Sequence, residues 1–233
     1  MKNVVISLFK KIDSYGIDCC VLRGYELLPN TVINDLDFFV KESDVSKFYS
    51  ILVELSSFFD ASLKITTVRQ GVFKTEICFT DFTLKVDFWY QLTFVGLHYV
   101  KSSEILSSKT LNPNGLFFIP TPEMELNVSF TKEVLHNQWV RDDKSSHLRS
   151  LLNKSSSIPF GFNRTKFESV LSKSGVKQFK LFLEVLFFIL KLNIKHFGVV
   201  NVFINVLAFY AVKYSNKYKK KSLDKLLISG ARL

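Results

Sequence analysis

Apolar residues recur at Val4, Val5, Leu8, Phe9 and Ile12. That spacing predicts a helix over 2–15, with Gly16 as its stop. Cys19-Cys20-Val21-Leu22 follows as a short buried strand that Arg23-Gly24 breaks. A polar loop carrying the turn signal Pro29-Asn30 leads to Asn34, and Asp35 to Val40 reads as a second strand. Ser43-Asp44 is placed to cap a helix running to about Phe59, with Val45, Phe48, Ile51, Leu52 and Leu55 on its apolar face. Leu63 to Val68, Phe73 to Phe79 and Thr83 to Trp89 alternate as strands, with turns at Gln70-Gly71 and near Asp81. Helix, two strands, helix and then a meander predict an α+β fold, a mixed sheet with helices on one face.

Tyr99 to Pro120 is less regular, with a loop at Asn112-Pro113-Asn114-Gly115. Thr121 as cap and Pro122 as first residue open a helix expected to reach about Val140. Arg141-Asp142-Asp143-Lys144 is polar, and His147 to Leu152 suggests one or two helical turns. Lys154-Ser155-Ser156-Ser157 reads as a connector, which divides the chain into a first domain over 1–155 and a mostly helical C-terminal region over 156–233. In that region a short helix ends near Gly175, Val176 to His196 is apolar on most faces, Gly198 is a break, and Val199 to Val212 has only Asn201 and Asn205 as polar residues.

Charge sharpens this division. From Arg164 onward there are 14 Lys+Arg and 3 Asp+Glu, a net of +11, whereas residues 1–163 carry −1. A basic region that is also apolar favours a membrane surface over nucleic acid, and no nucleic-acid partner is expected. The apolar stretches of 176–221 suit a pair of interfacial or re-entrant helices flanked by lysines. They equally suit a buried helical hairpin with solvated lysines; a full span is disfavoured because Val199–Val212 is too short and Glu184 and Lys191 interrupt the earlier run. Cys19, Cys20 and Cys78 are odd in number and sit in apolar contexts, which reads as buried thiols in a reducing compartment. Lys10 and Lys11 lie inside the first helical pattern, unlike a signal sequence, so a cytoplasmic protein is expected, peripheral on the inner membrane if the tail docks there.

The candidate chemistry lies in Asp35, Asp37 and Asp87. In a strand, residues two apart share a face, so Asp35 and Asp37 point the same way. Such a pair repels itself unless a cation sits between them. Asp87, in the otherwise apolar strand Leu84–Trp89, adds a third carboxylate if the two strands are neighbours. Three carboxylates converging from adjacent strands can hold one or two Mg²⁺ or Mn²⁺ ions against a nucleotide's phosphates. Sharing an ion requires their oxygens to approach within about 5 Å. Gly24 lets the preceding turn come close to phosphates, and Arg23 can add a charge-assisted contact. Against this stands the plainer possibility that Asp35 and Asp37 are solvated strand-edge residues and Asp87 an edge solubiliser. His98, His136, His147 and His196 show no ligand spacing.

Leu22-Arg23-Gly24, a loop of roughly ten residues, Asp35-Leu36-Asp37-Phe38-Phe39-Val40 and the later Asp87 resemble the nucleotidyltransferase fold of the DNA polymerase β superfamily. Within it, the likeness is to bacterial nucleotidyltransferases often encoded with surface-polysaccharide genes. It covers about residues 17–152. The resemblance implies that Asp35, Asp37 and Asp87 are metal ligands, with Asp87 also a candidate base, and that Arg23 and Gly24 contact a nucleoside triphosphate. It further implies transfer of a nucleotidyl group to a small molecule or glycan, and it suggests that Lys132, His136, Arg141 and His147 face a substrate. Arg23-Gly24-Tyr25 stands where the superfamily turn usually reads Gly-Ser or Gly-Gly. The alternative kept beside this reading is a non-catalytic binding or scaffold subunit on the same fold at the membrane.

Overall fold

A computed structural model describes residues 1–69 and 71–218, with side chains as far as Ala211. The expected Gln70 turn and the lysines at 219–221 therefore lie wholly or partly outside the described residues. The chain divides into two compact units. One comprises Met1–Leu92 and Ser102–Ile119, together with the described residues from Phe209; the other comprises Thr93–Lys101 and Pro120–Ala208. This division does not coincide with the connector near residue 155.

The first unit is built on a five-stranded mixed sheet. Helix α1 (Lys2–Ser14) precedes β1 (Cys19–Arg23) and β2 (Asp35–Val40), and α2 (Val45–Phe58) precedes β3 (Ser62–Arg69), β4 (Val72–Cys78) and β5 (Thr83–Trp89). The sheet order is β1-β2-β5-β4-β3. β2 and β5 run parallel, and the other pairs are antiparallel. Strand alternation separates two faces. Cys19, Val21, Leu36, Phe38, Val40, Ile77, Leu84, Val86 and Phe88 join the apolar stripes of α1 and α2 in one core. Phe38 meets Phe48 edge-on with ring centroids 5.1 Å apart, and Phe48 meets Phe88 at the same separation. The helices thus cover one face, as the pattern predicts, and Asp35, Asp37 and Asp87 project from the other. Phe117 closes the core by stacking on Phe9, at the end of a segment containing α3 (Ser102–Ser107), β8 (Thr110–Leu111) and β9 (Phe118–Ile119).

The second unit begins at Thr93, inside a hairpin of β6 (Leu92–Phe94) and β7 (Leu97–Val100) that the sequence pattern does not announce. Its two-residue turn has positive φ at both Val95 (51°) and Gly96 (78°), as a primed turn requires. Val is a poor residue for that conformation, and Val-Gly is not a recognised turn signal. Helix α4 (Pro122–Asn137) starts as expected, with the Thr121 hydroxyl accepting the Met124 amide, and ends before Val140 because Gln138 turns left-handed (φ 66°). Helix α5 (Asp142–Lys154) is longer than expected: Asp142 and Asp143 lie in its first turn, where carboxylates favour the positive end of the helix. α6 (Arg164–Leu171) follows, capped by Asn163. α7 (Phe179–Tyr218) is a long helix whose geometry breaks at Gly198 (φ 76°, ψ 161°), the position the sequence marks.

Candidate metal centre

The register of the sheet brings the three aspartates together. In the parallel β2–β5 pair, Asp37 lies opposite Asp87 and Asp35 opposite Lys85. One carboxylate oxygen from each of Asp35, Asp37 and Asp87 lies within 4.8 Å of the other two, inside the limit for sharing an ion. Asp37 and Asp87 are buried and Asp35 is half-buried.

The neighbouring strands extend this rung. Arg23 on β1 is the partner of Asp37, and Lys74 on β4 is the partner of Asp87. Four adjacent strands therefore carry Arg23, Asp37, Asp87 and Lys74 in a row, positive at both ends and negative in the middle. Arg23 reaches the row through an irregularity. Val21 pairs with Phe38, but the next partnership is Arg23 with Asp37, so β1 contributes two residues where β2 contributes one. Without that bulge Arg23 would share the face of Val21 and point into the core beneath the helices; the extra residue re-aims it. Its Nε donates to Asp37 Oδ2 at 2.5 Å, while Trp89 Nε1 donates to Asp37 Oδ1 at 3.2 Å. Lys74 Nζ donates to Asp87 Oδ2. The next rung also alternates, with Asp35, Lys85, Glu76 and Lys64 in register.

Burial pushes the Asp87 carboxyl above its ordinary range; Lys74 opposes that shift, and the carboxylates of Asp37 and Asp35 add to it. The carboxylate is thus harder to ionise than a solvated one, despite its cationic partner.

Gly24, just past Arg23, has φ +69° and nothing within 4 Å of where a Cβ would stand. A side chain there would be strained by the backbone and not by crowding. The neighbouring Tyr25 is partly buried and packs against the hydrophobic core. Gly24 is exposed at this turn.

No family profile matches this sequence, and no curated protein matches it. Three solved structures do. The antibiotic-resistance factor ANT(2″)-Ia is 9% identical over 93% of this chain and 95% of its own, with a TM-score of 0.34. A Helicobacter pylori protein assigned to the nucleotidyltransferases is 14% identical over 82% of this chain and 94% of its own, with a TM-score of 0.35. JHP933 from Helicobacter pylori is 13% identical over 94% and 96%, with a TM-score of 0.32. At these scores the likenesses carry no weight for this chain's chemistry, which has to be read from its own carboxylates.

The donor set fits a hard divalent cation. Three carboxylates offer oxygen ligands of the kind Mg²⁺ and Mn²⁺ take. Arg23 and Trp89 donate to Asp37 and Lys74 to Asp87, and an ionised carboxylate has about four acceptor positions.

The basic and imidazole side chains expected near a substrate have structural partners in the second unit. Arg141 Nε and Nη2 bind the two oxygens of Glu133, each at 2.9 Å, and Glu133 is buried. His147 Nε2 is 3.0 Å from Oε1 of buried Glu125. His136 meets the Phe94 ring edge-on at 5.4 Å. Sequence reasoning did not find Lys74 or Trp89. Lys74 carries one legible signal, a lone lysine at the strand position that a β4–β5 hairpin register sets opposite Asp87; Trp89 shares the alternation of Asp87.

Proposed function

We propose that this chain is a metal-dependent nucleotidyltransferase. The observation that carries the reading is the convergence of the Asp35, Asp37 and Asp87 carboxylates on the helix-free face of the sheet, with their oxygens within 4.8 Å of one another. Asp35, Asp37 and Asp87 would hold Mg²⁺ or Mn²⁺, which supplies charge neutralisation for the triphosphate and lowers the pKa of the attacking hydroxyl. The acceptor oxygen would form a bond to the α-phosphorus as the bond to pyrophosphate breaks. On the same reading Asp87 would also take the acceptor's proton. Gly24, exposed at the turn and with no side chain, would let a phosphate approach, and Arg23, whose Nε donates to Asp37, would add a charge-assisted contact to it.

On the family resemblance, the acceptor belongs to the hydroxyl- or phosphate-bearing small molecules and glycans of bacterial cell-surface polysaccharide synthesis. A basic, apolar tail that brings the protein to the inner face of the membrane is consistent with such an acceptor.

The test is pyrophosphate release from each labelled nucleoside triphosphate, with Mg²⁺ or Mn²⁺ and a cell extract as the source of acceptor. Asp35→Asn and Asp37→Asn are each expected to lower the rate by at least about a hundredfold, as the loss of preorganised electrostatic stabilisation does elsewhere. If no nucleotide releases pyrophosphate, and both variants retain wild-type metal-dependent nucleotide binding, the reading fails.

A further inference from the structure

Beyond Gly198, helix α7 turns its most apolar side outward. Val199, Val200, Phe203, Ile204 and Leu207 are each between 52% and 71% exposed. Their spacing of one, four, five and eight residues places them on a single stripe, the face that would be polar on an ordinary surface helix. The opposite side of the helix is held by the protein. Val202 is buried, and the backbone of Asn205 lies so close to the β6–β7 turn that a Cβ on Gly96 would come 2.4 Å from the Asn205 carbonyl oxygen. Before the break, Asn193 fixes the same helix to β7. Its Oδ1 accepts the His98 amide at 3.0 Å, and its Nδ2 donates to the His98 carbonyl at 2.7 Å. The helix cannot roll its apolar stripe inward without breaking these contacts.

Charge identifies the occupant. Val185 to Leu223 contains seven lysines and no aspartate or glutamate. Lys191 and Lys195 are exposed immediately before the stripe, and Lys213, Lys217 and the run 219–221 follow it in sequence. An apolar stripe preceded by exposed Lys191 and Lys195, in a segment whose charged residues are all lysines, suits an anionic lipid surface, where the apolar side chains enter the acyl boundary and the ammonium groups meet headgroup phosphates. A second copy of the chain fits less well, because pairing the stripes would bring the same lysines together. Phe179–Ala211 is long and apolar enough to cross a bilayer by length and composition, at a mean hydropathy of 1.5. Crossing would, however, strip Leu181, Val185, Ile189 and Asn193 from the protein interior they occupy. We propose that the Val199–Leu207 stripe lies flat in the surface of an anionic bilayer and docks the protein there as a peripheral, one-sided anchor.

The full chain is sedimented with vesicles of phosphatidylcholine alone or of phosphatidylcholine mixed with phosphatidylglycerol, at low and high salt. Sedimentation with the mixed vesicles is expected at low salt, with at least about tenfold weaker partitioning onto phosphatidylcholine alone and partial release by salt. Phe203→Glu combined with Leu207→Glu, and separately Lys191→Glu combined with Lys195→Glu, are each expected to weaken partitioning at least about tenfold. Phe58→Glu, which alters a 75% exposed phenylalanine on α2 in the other unit, should bind as wild type. Thermal melting of each variant separates loss of binding from loss of fold. Failure to sediment with either vesicle overturns the proposal. So does a dimer in light scattering that Phe203→Glu dissociates, with no vesicle binding by wild type. Resistance to carbonate extraction would overturn the one-sided geometry in favour of a span.

Discussion

Asp87→Asn should make the protein more stable at neutral pH while removing the activity proposed for it. Asp87 is buried in a strand beside two other carboxylates. At an effective dielectric of about 20, two full charges 4.8 Å apart repel by about 3.5 kcal/mol. Lys74 offsets part of that repulsion and of the burial cost, but its side chain is 39% exposed, so solvent screens its contribution. The direction of the Asp87 shift decides the balance: its carboxyl lies above the ordinary 3.8, so burial and repulsion together outweigh Lys74. An acid whose folded pKa is raised binds its proton more tightly in the native state than in the unfolded one. Stability therefore falls as pH rises from 3.8 through the folded value, and the deficit persists at neutral pH. Asparagine keeps the shape and removes the charge, which should add about 1–2 kcal/mol near pH 7, or about 2–8 °C in Tm for a chain of this size. Urea unfolding of wild type and variant between pH 4 and pH 8 reads the effect. The difference should shrink toward acid pH, where Asp87 is protonated in both states. Lys74→Met should move the other way, costing about 0.5–1 kcal/mol at pH 7 and less in acid. An Asp87→Asn variant less stable than wild type at pH 7, or a difference independent of pH, would refute the reasoning.

Arg141→Met leaves Glu133 buried without its two-pronged partner and should cost about 2–3 kcal/mol in urea unfolding, whereas Arg141→Met combined with Glu133→Met should recover most of it. Asn193→Leu keeps the volume but abandons the His98 amide and carbonyl, and a loss of about 2–3 kcal/mol is expected, with faster amide exchange at His98. Burial pushes the Cys20 thiol up to about 12 and Cys19 higher still, so a thiol reagent at pH 8 should titrate only half-buried Cys78 in the native protein and all three thiols in urea.

The fold of the first unit was largely legible because its signals are local. Five apolar positions in α1 and five in α2 have helical spacing, and β2 and β5 begin and end where the sequence pattern says they should. The second unit was harder to read where backbone conformation overrides propensity. The β6–β7 turn places Val95 at positive φ, which no propensity rule would suggest. α5 begins inside the polar run Arg141–Lys144, because carboxylates at a helix start and polar loop residues look alike in sequence. The roles expected for Arg141 and His147 rested on the resemblance, which could not show that α4 carries two buried glutamates that pair with them. For the carboxylate site, sequence supplied the candidates and the sheet supplied their register. Nothing local to Lys74 distinguishes it from a solvated strand lysine until β4 is aligned on β5.

That register also explains how the sheet tolerates three carboxylates at its centre. A row reading Asp37, Asp87 and two neutral residues would leave adjacent negative charges with only water or a metal ion to compensate them. Here the outer positions of the same rung are Arg23 and Lys74, and each donates to the carboxylate beside it. The rung carries no net charge, and the half-buried Asp35 adds one negative charge at the next level, beside Lys85. Arg23, one residue before Gly24, reaches its position only through the bulge in β1. One extra residue at Leu22 therefore moves a guanidinium from the core face to the carboxylate face. A regular strand of the same composition would leave Asp37 without its guanidinium, so this half of the site's charge balance traces to a single backbone irregularity.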